Sequence, residues 1–143
     1  MAGELRKLVP RDLPTRSVAV AVAPGELIDK ITILEIKAVR IGDGAKRANV
    51  RAELAVLVEA RDRAIVGSDE LEALASELRS VNEALWDIED DIRDREREGD
   101  FGERFVALAR SVYQTNDLRA ELKRRINLLL GSAILEEKSY APR

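Results

Sequence analysis

The sequence contains no histidine and no cysteine among its 143 residues. This absence excludes histidine-based catalytic triads, cysteine nucleophiles and ordinary zinc sites, because each of them needs one of these two side chains. Any catalysis would have to use carboxylates, lysine, tyrosine, hydroxyl groups or an oxygen-ligated ion such as Mg²⁺. The absence of cysteine is compatible with a cytoplasmic location, which we expect by default.

Aromatic residues and long apolar runs are also scarce. The chain has five aromatic residues, and no window approaches the roughly 18 consecutive apolar residues that a membrane-spanning helix needs. A composition of 45% apolar and 36% charged residues is typical of proteins built from long helices. We therefore expect one helical domain over residues 17–143, preceded by a flexible arm at residues 1–16, and no membrane partner.

One stretch, residues 71–98, carries an unbroken helical pattern. Its apolar residues are spaced alternately by three and four positions, whereas a strand would need a period of two. They are Leu71, Leu74, Leu78, Val81, Leu85, Ile88 and Ile92. A helix of this length would be roughly 42 Å long. The rest of the fold is expected to pack around it.

Charge is distributed unevenly along the chain. The net charge is −3, but residues 67–100 contain 13 acidic residues and only four arginines. Nothing in this overall balance favours binding to nucleic acid or to an anionic membrane. We therefore expect no nucleic-acid partner, and we expect the acidic helix to be matched by basic segments within the fold.

Two helices are predicted before the acidic stretch. The first runs from Glu26 to residue 41, and the sequence Gly-Asp-Gly at residues 42–44 ends it. The second runs from about residue 45 to residue 66, and its apolar face is weaker because Arg61 interrupts it. The first helix is the natural cover for the longer helices that follow.

The fourth helix follows the third after a very short turn. Ser68 is a good N-cap for the third helix and Gly99 ends it, while residues 100–103 have the D-x-x-E form of a capping box. The fourth helix then continues to Gly131, with polar residues such as Arg119 inside its apolar seam. A turn this short makes the two helices antiparallel. The expected fold is an all-α four-helix bundle with a long antiparallel hairpin of the third and fourth helices.

The two ends of the predicted domain favour extended structure. Residues 17–23 (SVAVAVA) are β-branched at alternate positions, and residues 132–140 (SAILEEKSY) can form a second short strand. Their pairing would add a minor two-stranded β element. The alternative is an extended tail that lies over the helices or over another subunit. Because long helices in a single layer often leave an apolar face uncovered, we also expect a homodimer.

A polar groove is predicted beside the seam of the hairpin, with the first helix covering it. Flanking positions of antiparallel helices face each other, and this places seven candidate residues on one side. They are Glu35, Asn82, Trp86, Glu89, Tyr113, Asn116 and Lys123. The groove has two interpretations, a buried polar network that fixes helix register or a small-molecule site. Nearby, Arg119 is expected to pair with a carboxylate such as Glu77.

Acidic residues three apart on helices resemble the Mg²⁺-binding pairs of helical nucleotide hydrolases. The pairs are Glu26 and Asp29, Asp87 and Asp90, and Asp91 and Asp94. With 27 acidic residues in the chain, chance alone produces about five such pairs, so the motif has little specificity. We predict no defined metal site, and Mg²⁺ is the one cofactor that this chemistry would allow.

Four stretches of the sequence, taken together, carry a resemblance to a known family. They are residues 25–37 (GELIDKITILEIK), 85–90 (LWDIED), 109–117 (ARSVYQTND) and 131–140 (GSAILEEKSY). Together they resemble a small bacterial family of unknown function. The resemblance implies a shared helical fold, and it implies no activity, cofactor, partner or functional residue.

Two hypotheses about function follow from the sequence. The first is a non-enzymatic interaction or accessory module with an unknown protein partner. The strongest sequence patterns favour it, because they are those of helices packing together rather than of a catalytic site. The alternative is a protein that binds or hydrolyses a phosphorylated metabolite or nucleotide, using carboxylates and Mg²⁺ in the groove between the first, third and fourth helices. The sequence does not decide whether the chain is an enzyme.

Overall fold

The computed structural model of the protein describes residues 16–139, and these form four α-helices and no strand. The helices are α1 (Pro24–Arg40), α2 (Gly44–Ala64), α3 (Asp69–Arg97) and α4 (Glu103–Leu129). The all-α class is confirmed. None of the four helices combines the length and the apolar character needed to cross a membrane. The predicted flexible arm falls outside the described residues except for Arg16.

The helix starts follow from local capping, with one difference from the prediction. The Ser68 hydroxyl accepts a hydrogen bond from the Leu71 backbone N–H at 3.1 Å, so the predicted N-cap of α3 is confirmed. The predicted capping box of α4 is wrong, because Gly102 rather than Asp100 is the N-cap residue. Asp100 lies two residues too early, and its Oδ1 accepts from the Gly102 backbone N–H at 3.1 Å.

Both long helices end at a glycine with a left-handed backbone. Gly99 has φ of 68° and Gly131 has φ of 65°, a region in which a Cβ atom is unfavourable. After each glycine the chain turns back, so that the Asp100 N–H donates to the Arg95 carbonyl at 2.9 Å and the Ser132 N–H donates to the Asn127 carbonyl at 2.9 Å. These Schellman-type ends satisfy carbonyls that the helix itself leaves unpaired.

The third and fourth helices form the predicted antiparallel hairpin, and α1 packs on one side of it. Residues from the first half of α3 meet residues from the second half of α4, which fixes the antiparallel direction. The buried cluster consists of Ile28, Leu71, Leu74, Leu78, Leu122 and Ile126. Because α1 contacts both helices of the hairpin, the core of the described part is made by three helices.

The second helix does not complete a four-helix bundle. It packs against α1 and against neither α3 nor α4, and none of its residues is buried. The physical reason is its weak apolar face, in which Arg61 lies at the surface and pairs with Asp62 at 3.1 Å. The bundle arrangement predicted from the sequence is therefore not confirmed, although all four helices are present.

The predicted β element is not seen in the described residues. Residues 17–23 and 132–139 have no strand, while residue 140 lies outside the described part. Instead of pairing, the tail lies along α4, where Glu136 binds Lys123 at 3.1 Å and Glu137 binds Arg124 at 2.9 Å. These charge pairs favour the extended tail, the alternative to a strand.

Candidate functional site

A buried ion pair joins α1 to α4. The side chain of Asp29 is 1% exposed and accepts two hydrogen bonds from Arg119, from Nε to Oδ1 at 2.9 Å and from Nη2 to Oδ2 at 2.5 Å. The hydrogen bonds from Arg119 to Asp29 raise the pKa of the guanidinium and outweigh the opposing effect of burial. Two-point contact of this kind fixes direction as well as distance, so the pair sets how α1 lies on the hairpin.

Asn82 connects the third helix to the same ion pair. Its Nδ2 donates to Asp29 Oδ1 at 2.9 Å and to Thr32 Oγ1 at 2.8 Å. Thr32 in turn donates to the backbone carbonyl of Asp29 at 2.7 Å. The network therefore ties together all three helices of the core, and buried polar groups that are mutually satisfied specify one register.

The ion pair at the centre of this network, Asp29 with Arg119, was not predicted from the sequence. Arg119 was expected to pair with Glu77, but it binds Asp29, and Glu77 faces Arg125 at 4.0 Å. The prediction was wrong because α1 lies on the side of the hairpin towards which Arg119 points. The sequence does contain a pattern from which Asp29 could have been predicted as a buried partner. Asp29 and Thr32 lie one helical turn apart beside the apolar face of α1.

A second polar cluster holds the N-terminal end of α1 on α4. Lys123 Nζ donates to Glu26 at 2.6 Å and to Glu136 at 3.1 Å. Burial lowers the pKa of Lys123, but the hydrogen bonds to Glu26 and Glu136 more than offset it, so the pKa is raised overall. The lysine thus links α1, α4 and the tail.

The N-terminus of α1 is capped by a side chain from another helix. Ala23 provides no side-chain cap, and Asn127 Oδ1 instead accepts from the Gly25 backbone N–H at 2.7 Å. This contact needs a close approach of the two helices. A Cβ atom on Gly25 would lie 2.8 Å from Asn127 Oδ1 and closer still to the Lys123 carbonyl oxygen.

We expect Gly25→Ala to destabilise the protein by about 1–3 kcal/mol, because the added methyl group would push α1 away from the backbone of α4. Unfolding in urea, followed by circular dichroism, measures the change. Gly44→Ala is the matched control, since a Cβ atom at Gly44 would meet nothing within 4 Å. Equal stabilities of the two variants would contradict the close approach.

A cavity of about 250 Å³ opens where α1 ends on the hairpin. It brings together four of the seven predicted groove residues, Asn82, Trp86, Glu89 and Asn116. Its remaining lining residues are Ile33, Ile36, Leu85 and Arg119. The groove between α1, α3 and α4 therefore exists, and the buried network forms its inner end.

Three predicted groove residues lie elsewhere. Glu35 binds Arg79 at 2.9 Å and lines a separate cavity between α1, α3 and the end of α2. Lys123 belongs to the cluster at the other end of α1. Tyr113 is 40% exposed and does not line the 250 Å³ cavity. It lies one helical turn from Asn116 on α4.

The acidic pairs at metal-type spacing are used mainly as ion-pair partners. Glu26 binds Lys123, Asp29 binds Arg119 and Asp87 binds Arg40. Within residues 16–139 no three side chains of the aspartate, glutamate, histidine or cysteine type are arranged to hold a metal ion. Among the described residues, Glu26, Asp29 and Asp87 therefore serve as ion-pair partners.

Of three comparisons with known proteins, one finds a match, to a family of unknown function. A search among curated proteins and a search among solved structures each return no match. One family model matches residues 18–143, which is most of the chain and all four helices. The chain therefore belongs to a family of unknown function, DUF6165.

Proposed function

We propose that this protein is a non-enzymatic interaction module that works as a homodimer. The observation that carries the proposal is an uncovered length of the α3–α4 hairpin. A helix of 29 residues such as α3 is about 43 Å long, whereas the 17 residues of α1 cover about 25 Å. Arg40, the last residue of α1, pairs with Asp87 and lies over Trp86.

Beyond that contact the hairpin projects as a two-helix arm, which we define as residues 88–112. Its inward-facing apolar side chains are only half-buried, because two helices alone cannot enclose a seam. They are Ile88, Ile92, Phe105, Leu108 and Val112. At its tip Phe101 is 59% exposed, and on α4 Val106 is 41% exposed. A surface of this kind favours a partner that contributes further helices.

The charges of the hairpin favour a second copy of the same chain as the partner. Residues 90–98 hold five acidic and three basic residues, whereas Arg124 and Arg125 at the base of α4 are 45% and 54% exposed and, among the described residues, pair only with exposed carboxylates of their own chain. Two hairpins packed antiparallel would place the acidic arm of each copy beside the basic base of the other. Such a two-fold contact is self-complementary, as is usual in homodimers.

We expect light scattering to give twice the 15.9 kDa mass of one chain, and Val106→Lys to weaken dimerisation by about tenfold or more through an unpaired charge in the contact. Val66→Lys is the matched control, because Val66 is 87% exposed and lies outside the arm. The mass of a single chain at every concentration would overturn the proposal. Association that strengthens with salt would contradict the antiparallel arrangement, since screening weakens attraction between opposite charges.

A further inference from the structure

The 250 Å³ cavity at the end of α1 contains polar groups that the protein itself does not use. Neither the side chain of Glu89 nor that of Asn116 makes a hydrogen bond or an ion pair with any residue of the described part of the chain. The other two polar side chains of the cavity, Asn82 and Arg119, are engaged with Asp29. The side chains of Glu89 on α3 and Asn116 on α4 are therefore free to bind a ligand.

The charge balance around the cavity identifies the sign of the ligand. Arg119 is neutralised by Asp29, and Arg40 above Trp86 is neutralised by Asp87. The remaining charge on the lining is Glu89, a solvent-exposed carboxylate. Arg93, one turn further along α3, forms no ion pair with it among residues 16–139. A carboxylate without a partner beside an apolar wall attracts a cation.

The rest of the lining sets the size and the body of the ligand. Ile33 and Ile36 from α1 face Leu85 and Trp86 from α3 across the cavity. Ligand sites are typically lined by apolar and aromatic side chains with a few polar groups that orient the ligand. At about 250 Å³, the cavity has room for a small molecule.

We infer that this cavity binds a small organic amine, with its apolar body between Ile36 and Trp86 and its ammonium group on Glu89. Asn116 would accept a second hydrogen bond from the same ammonium group. This assignment goes beyond self-association and does not depend on it. It also differs from the phosphorylated ligand considered for the groove, because the free charge on the wall is negative.

The test uses the fluorescence of Trp86, the single tryptophan of the chain. Cyclohexylmethylamine, cyclohexylmethanol and cyclohexanecarboxylate share one apolar body and differ in charge, and each is titrated into the full-length protein. We expect the amine to shift the emission with a Kd of about 1 mM or tighter, and the alcohol and the carboxylate to bind at least about tenfold more weakly.

Glu89→Gln is expected to reduce the affinity for the amine by about tenfold, because it removes the charge and keeps the shape. Glu96→Gln, at an exposed glutamate two turns further along α3, is the matched control and should bind like the original protein. Failure of the amine to shift the emission, or equal binding of all three compounds, would overturn the assignment. So would an unchanged affinity in the Glu89→Gln variant. Light scattering on the same samples separates this outcome from a loss of the dimer.

Discussion

Replacing Asp29 with leucine is expected to lower the free energy of unfolding by about 3 kcal/mol or more, because it leaves the partner of a buried ion pair without its counter-charge. Arg119 is 29% exposed, so water would recover part of the loss for the guanidinium. Asn82 would also lose the carboxylate to which it donates. Urea unfolding followed by circular dichroism and by Trp86 fluorescence measures the change.

A double-mutant cycle distinguishes a lost ion pair from a general disturbance of α1. The variants are Asp29→Leu, Arg119→Met and the combination of both. We expect the combined loss to be smaller than the sum of the single losses by about 1–3 kcal/mol, since the second substitution removes the charge that the first one strands. Strictly additive losses would show that Asp29 and Arg119 do not depend on each other.

Glu137→Leu is the control for this cycle. Glu137 binds Arg124 at 2.9 Å, but the two side chains are 72% and 45% exposed. An exposed pair contributes little because water and salt screen it. We expect a change within about 0.5 kcal/mol. A loss as large as that of Asp29→Leu would mean that burial is not what distinguishes the two ion pairs.

The helices of this protein can be predicted from its sequence because their signals are local. Ser68 caps α3 as expected, and Gly99 and Gly131 end α3 and α4 through left-handed turns. The spacing of the apolar residues fixes which side of α1, α3 and α4 is buried, and the short turn at Gly99 fixes the antiparallel direction. All of these depend on residues within a few positions of one another.

The placement of the shorter helices cannot be predicted in this way. Arg119 and Asp29 are 90 positions apart, and an arginine in an apolar seam shows only that some carboxylate must face it. Which carboxylate it is depends on the side of the hairpin that α1 covers. The position of α2 is equally long-range, because its own apolar face is too weak to require a place in a bundle.

The candidate site could be predicted only in part for the same reason. Asn82, Trp86, Glu89 and Asn116 share the cavity because helical geometry places them on facing flanks of the hairpin. Tyr113 is on that flank by helical geometry, but it does not line the cavity and its side chain is 40% exposed. Which residues of the flank line the cavity depends on where α1 lies on the hairpin, and that placement is set by long-range contacts.

Leu78→Ala is expected to destabilise the protein by about 3–5 kcal/mol, the range of leucine truncations in rigid cores. Leu78 is 0% exposed and belongs to the cluster in which α1, α3 and α4 meet. It lies one helical turn before Asn82, so the cavity left by the substitution would also loosen the polar network. Urea unfolding measures the loss, and Leu118→Ala, at a leucine of α4 that is 55% exposed, should change the free energy of unfolding by less than about 1 kcal/mol.

The result of this comparison bears on where the stability of the fold resides. The core consists of a single layer of side chains between three helices, and ordinary domains are stable by only about 5–15 kcal/mol. One truncation at its centre is therefore expected to remove a large part of the total, while the half-buried seam of the arm contributes less. If Leu78→Ala and Leu118→Ala were equally stable, the buried cluster would not be the main source of stability, and the arm would have to supply it through the proposed dimer contact.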